Sequence, residues 1–167
     1  LTDSLRFDGT NYEFLESNTT NSSTATIDFS SFDSNGFTLG GGGAFNGSGA
    51  DYVAWCFKGG GAAVSNTQGT ITSTVSANQD AGFSIVKYTG NGNVGATVGH
   101  GLSSAPEFTI IKKLDTVGYS GGSWVVGTEY AGSGWDGSMY LNSTGAYYNA
   151  VNYFWNAAPT STVNELK

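Results

Sequence analysis

Apolar and polar residues alternate along this chain with a period near two, and no segment sustains the 3.6-residue period of an amphipathic helix. Phe83-Ser84-Ile85-Val86-Lys87-Tyr88 and Glu107-Phe108-Thr109-Ile110-Ile111-Lys112 are rich in β-branched and aromatic residues and read as strands. The first has apolar side chains on both faces, as a strand near a sandwich core often does. Leu5-Arg6-Phe7, residues 11–15, Ala25-Thr26-Ile27-Asp28-Phe29 and Phe37-Thr38-Leu39 predict shorter strands. Tyr52-Val53-Ala54-Trp55-Cys56-Phe57-Lys58 is the most apolar strand candidate of the first half, and its pattern predicts a central position with Cys56 and Trp55 in the core. Residues 69–76, Ser123-Trp124-Val125-Val126-Gly127-Thr128, Ser138-Met139-Tyr140-Leu141-Asn142 and residues 147–155 complete the set, with Trp124 in the core.

Turn residues separate these runs. Asp33-Ser34-Asn35-Gly36 predicts a turn with Asn-Gly suited to positive φ, and Gly59-Gly60-Gly61 predicts a bend between strands. Many short strands with frequent turns predict an all-β chain, an antiparallel β-sandwich of concanavalin A-like or jelly-roll type with little or no helix. A single module over 1–167 accounts for the whole. Ser4-Leu5-Arg6-Phe7-Asp8-Gly9-Thr10 also echoes Ser138-Met139-Tyr140-Leu141-Asn142-Ser143-Thr144, which leaves open one unit plus the start of a tandem repeat over 138–167.

Composition narrows the function classes. Only 11% of residues are charged and 14% are aromatic, the opposite of a disordered chain. Net charge is −7 with six basic residues, so there is no basic patch to release counterions from nucleic acid or to bind an anionic membrane. No apolar run reaches membrane-spanning length, so no membrane insertion is expected. One Cys and one His rule out a Cys/His zinc site. Asp33-Ser34-Asn35-Gly36 starts like a calcium loop but lacks the later acidic ligands, so no metal and no cofactor is expected.

Gly90-Asn91-Gly92-Asn93-Val94-Gly95 matches the dinucleotide fingerprint and follows a strand. A phosphate cradle needs a helix next, and residues 96–105, with Gly99 and Gly101 before Pro106, are too short and broken for one. These glycines serve turns. Glycoside hydrolysis needs two carboxylates facing one cleft. Glu13 and Glu16 stand three apart on a strand and point to opposite faces, while Asp115, Glu129 and Asp136 are isolated in turns. His100, between two glycines, lacks a matched nucleophile or acid and reads as a turn histidine bonded to backbone. The chain is therefore not expected to be an enzyme.

Five stretches carry a family likeness: Ser34-Asn35-Gly36-Phe37-Thr38-Leu39-Gly40; residues 51–58; Gly82 followed by residues 83–90; Val98-Gly99-His100-Gly101-Leu102 with Ala105-Pro106-Glu107; and Tyr140-Leu141-Asn142-Ser143-Thr144. In this order, over residues 32–163, the chain resembles virion modules of tailed phages, marine and cyanobacterial ones above all, described as tail-fibre or concanavalin A-like lectin/glucanase-like domains. The resemblance implies a structural protein of the phage particle surface or tail fibre. Its partners would be other virion subunits, in a homo-oligomer, and a host surface glycan. A purely structural decoration or fibre subunit is the alternative, and a glycan-degrading enzyme a second one. Sugar recognition uses aromatic faces beside Asn and Asp. The candidate carbohydrate-binding residues are Trp135, Asp136, Tyr130, Tyr147 and Tyr148, with Trp135 first because Gly132-Ser133-Gly134-Trp135-Asp136-Gly137 gives it no evident core partner.

Overall fold

The computed structural model describes residues 1–115, 122–132, 134–145 and 155–166. The named elements there are fourteen strands and one 3-10 turn. All strand pairs are antiparallel. One isolated parallel bridge joins Ile71 to Val98. The strands form five small sheets of two or three strands rather than two large ones.

The first sheet joins β1 (Thr2–Phe7), β2 (Tyr12–Phe14) and β3 (Thr24–Thr26). Asp8 closes the β1–β2 turn, its Oδ1 accepting the amides of Thr10 and Asn11 at 2.7 Å each. Buried Arg6 is neutralised by Asp3, 2.8 Å away, and donates to the Leu1 carbonyl at 3.0 Å. The predicted strand over 25–29 is divided. Thr26 ends β3 and Phe29 begins β4 (Phe29–Asp33), because Asp28 turns back to bond its amide and carboxylate to the Thr26 hydroxyl. β4 pairs with β5 (Gly36–Leu39) across the two-residue loop Ser34-Asn35. The predicted turn over Asp33-Ser34-Asn35-Gly36 is present, with Asp33 paired to Gly36, while Gly36 itself is a strand residue without positive φ.

The central sheet is β6 (Val64–Asn66), β7 (Ser73–Asn78) and β8 (Phe83–Tyr88). Val75 faces Val86 across β7 and β8. Val86 and Tyr88 pack on the buried cluster of Ile71, Ala96 and Val98. Gly92 and Gly95 take positive φ in the turn region before β9 (Thr97–Gly99). A strand therefore follows the glycines where a dinucleotide site requires a helix. β9 pairs with β14 (Val163–Leu166), which pairs in turn with β13 (Trp155–Ala157).

The last sheet is β10 (Phe108–Lys112), β11 (Trp124–Thr128) and β12 (Met139–Tyr140). Trp124 and Val126 are buried on β11, as expected for Trp124. The Trp124 indole donates to the Glu16 carbonyl at 2.9 Å, tying this sheet to the first one 108 residues away. Opposite Gly127 stand two buried indoles, Trp135 and Trp155, edge to face with centroids 5.2 Å apart. A Cβ on Gly127 would meet Trp155 at 2.5 Å and Trp135 at 2.6 Å, so only hydrogen fits.

Residues 51–58 are the main departure from expectation. They form no strand, and Cys56 is exposed. Trp55, expected in the core, is 84% exposed. The reason is topological. β7, beside which the segment leaves, already has a partner on each edge, β6 and β8, so no ladder position is open there. The glycines that follow bend the chain as expected, at Gly61 with positive φ, and Gly60 lies so close to the Ala77 backbone that a Cβ there would meet it at 1.9 Å.

Gly127→Ala overpacks two indoles at once. The expected outcome is a loss of about 1–3 kcal/mol of unfolding free energy, read from urea denaturation.

Candidate carbohydrate-binding surface

β11 ends at Thr128, and the chain turns through Glu129 and Tyr130 into the 3-10 turn Gly134–Asp136. The Thr128 hydroxyl accepts the Tyr130 amide at 3.3 Å, and the Gly134 amide donates to the Ala131 carbonyl at 3.0 Å. Gly132 and Gly134 both take positive φ, which glycine adopts at little cost. A Cβ on Gly134 would lie 3.5 Å from the Glu129 carbonyl oxygen, so the loop folds back onto its own start.

Of the candidate residues, this loop carries Tyr130, Trp135 and Asp136. Tyr130 is 71% exposed. Its phenol is pushed up to about 12 by the Glu129 and Glu107 carboxylates beside it. Asp136 is exposed, with its side chain available to a polar ligand. Trp135 differs from expectation. It is 9% exposed, turned inward against Trp155 and Gly127, so it is a foundation of the loop rather than an open stacking platform. The Gly-Ser-Gly context suggested a free indole, but the glycines are what let the chain turn tightly enough to send Trp135 into the core. Tyr147 and Tyr148 lie outside the described residues.

Several features escaped the sequence reading. Glu107 and Glu129, far apart in sequence, converge on one phenol, and nothing in either local sequence signals this. A second aromatic surface lies on β1, β2, β4 and β5. Phe7 and Tyr12 are 4.8 Å apart, Tyr12 and Phe32 5.3 Å, and Phe29 and Phe32 4.7 Å. Phe32 and Phe37 are cross-strand partners flanking the Asp33–Gly36 pair, a pairing the hairpin pattern itself signals. Two clefts, about 350 and 500 Å³, lie elsewhere, along β7 and residues 58–61. Glu13 and Glu16 are engaged locally, Glu13 by the Ser23 hydroxyl at 2.7 Å and Glu16 by the Asn21 amide group at 3.1 Å. Among the described residues, no group of three or more His, Cys, Asp and Glu side chains is placed to hold a metal ion. No helix among them is long and apolar enough to cross a membrane.

His100 is the turn histidine the sequence suggests. The Leu102 amide donates to Nδ1 at 3.1 Å, which makes Nδ1 the acceptor and leaves Nε2–H to donate to the Thr160 carbonyl at 3.1 Å. Burial holds its pKa below the usual value near 6.5, outweighing the opposing bond to Thr160.

One family model matches the chain, that of a domain of unknown function (DUF7483), over residues 1–167. Among the curated proteins and the solved structures compared, none matches.

Two outcomes follow from this geometry. Trp135→Ala empties a buried indole site and is expected to cost about 3–5 kcal/mol in urea denaturation, so any binding assay on that variant must first show that it folds. For His100, the folded pKa is lowered, so the neutral ring's contribution is complete above the unfolded value of about 6.5 and is lost as pH falls from there through the folded value. The urea midpoint should drop over that window, and His100→Gln should flatten the drop.

Proposed function

The chain belongs to the DUF7483 family, whose description assigns no function, and from its resemblance to tailed-phage modules and the loop at Tyr130 we propose that it is a structural module of a phage virion, on the particle surface or tail fibre, that binds a neutral host glycan. The observation that carries this reading is Tyr130. An exposed aromatic ring, its phenol beside the Glu129 and Glu107 carboxylates and followed on the same loop by exposed Asp136, offers a stacking face together with hydrogen-bond acceptors. Sugars present C–H patches and hydroxyl donors of the complementary kind. The acidic balance of the chain favours a neutral ligand over a polyanion. Tyr130 and Asp136 contact the ligand in this reading, Trp135 holds the loop from beneath, and Tyr147 and Tyr148 complete the sequence-based set. The resemblance of residues 32–163 to tailed-phage modules supplies the virion setting, with other virion subunits as partners. It also supplies the finer architecture. We read the five small antiparallel sheets as parts of a concanavalin A-like sandwich.

A second reading, a fibre or decoration subunit with no glycan ligand, is favoured by the exposed apolar segment at 52–57. A glycan array separates the two. Under the adhesive reading the intact chain binds, binding changes little with added salt because no counterions are released, and Tyr130→Ala weakens it by about 1–3 kcal/mol. A blank array with folded protein removes the adhesive reading and leaves the structural one.

A further inference from the structure

Residues 51–57 form an exposed arm that joins no described sheet. Among the described residues no backbone hydrogen bond reaches them, although Tyr52 Oη accepts the Gly47 amide at 3.0 Å. The arm's base is fixed. Asn78 donates to the Lys58 carbonyl at 3.2 Å, the Gly60 amide donates to the Ser76 hydroxyl at 3.0 Å, and Phe57 stacks on Phe83 at 5.4 Å. Positive-φ glycines, Gly49 and Gly61, bracket it. Tyr52, Val53 and Trp55, beyond the base, are 53%, 78% and 84% exposed, and Phe57 at the base is 73% exposed. Every residue from Tyr52 to Phe57 is exposed, so the arm presents apolar side chains along its whole length.

We propose that this arm is an exchange element that docks on the aromatic surface of a second copy of the chain, with the second copy's arm returned by two-fold symmetry. The acceptor is the contiguous set Phe7, Tyr12, Phe32 and Phe37 on β1, β2, β4 and β5, in which Phe7, Phe32 and Phe37 are exposed. Area decides in favour of reciprocity. Aromatic side chains bury roughly 150–250 Å² each, so the exposed part of the arm presents about 500 Å². Phe7, Phe32 and Phe37, 49%, 45% and 38% exposed, present about 300 Å², so one contact removes about 800 Å² in total, below the roughly 1,200 Å² at which stable interfaces begin. Two reciprocal contacts remove about 1,600 Å², within the usual range. A different protein would meet the arm alone, whereas a second copy supplies donor and acceptor twice. The self-association is independent of the glycan reading, since neither surface includes Tyr130 or Asp136.

The test is sedimentation of the full chain at micromolar concentration, with the rate of Cys56 alkylation as a second readout of arm cover. Wild type is expected to be a dimer with a slowly alkylated thiol. Trp55→Ser/Phe57→Ser in the arm and, separately, Phe32→Ser/Phe37→Ser in the acceptor should each raise the dissociation constant by about 30-fold or more and restore fast alkylation. Circular dichroism of the arm variant should match wild type, because the arm supports no described sheet; Phe32 and Phe37 pack on buried Phe29, so the acceptor variant counts only with a wild-type spectrum and the arm variant decides alone otherwise. A wild-type monomer with a fast thiol overturns the proposal, as does a monomer with a protected thiol, which would place the arm on its own chain. A dimer indifferent to both variants, or a ring or filament in place of a dimer, overturns it equally.

Discussion

The C-terminal half of this protein depends on a missing side chain. At Gly127, in the middle of β11, the backbone leaves room for two indoles, and Trp135 and Trp155 fill it edge to face. One ring comes from the loop that follows β11 and the other from β13. A single contact therefore holds the loop, the β10–β11–β12 sheet and the strand that leads to β14 and β9. Because interiors are close-packed, an arrangement of this kind has little tolerance, and one added methyl group would have to displace a ring.

The candidate binding surface inherits its order from that contact. Tyr130 and Asp136 stand in solvent, but the loop between them is short, folded onto Glu129 and secured underneath by Trp135. A surface aromatic on a fixed support loses little conformational freedom on binding, which is what a weak, neutral ligand requires. The same logic explains why stability and binding must be measured separately for any change at Trp135.

Elsewhere the sheets are joined by a few long-range hydrogen bonds rather than by continuous ladders. The Trp124 indole reaches Glu16, the Ser23 amide reaches Leu114, and the Ile71 amide and Ser73 hydroxyl reach the Thr97 and Gly99 carbonyls. Each satisfies a buried or half-buried polar group that would otherwise be costly to leave unpaired. Small sheets can coexist in one chain on these terms, each with a modest buried face of its own.

Local structure was largely legible in the sequence. β8 spans the very residues whose alternation predicts it, β10 and β11 fall within a residue of expectation, and the glycines after β8 make a turn and not a phosphate cradle. Strand period, β-branching and turn residues are local properties, and local sequence determines them. Placement was not legible. Residues 52–57 have the composition of a central strand but stand exposed, because hydrophobicity shows that a segment gains from cover without showing whether a ladder edge is free to receive it. Trp135 has the context of an exposed loop residue but lies in the core, because its partners are Gly127 and Trp155, eight and twenty residues away. The carboxylates at the Tyr130 phenol come from Glu107 and Glu129, which only the pairing of β10 with β11 brings side by side. The sequence by itself determined that this chain builds strands, and roughly where. The tertiary structure decided which apolar side chains those strands cover, since burial depends on contacts between residues distant along the chain and on which sheet edges are already taken.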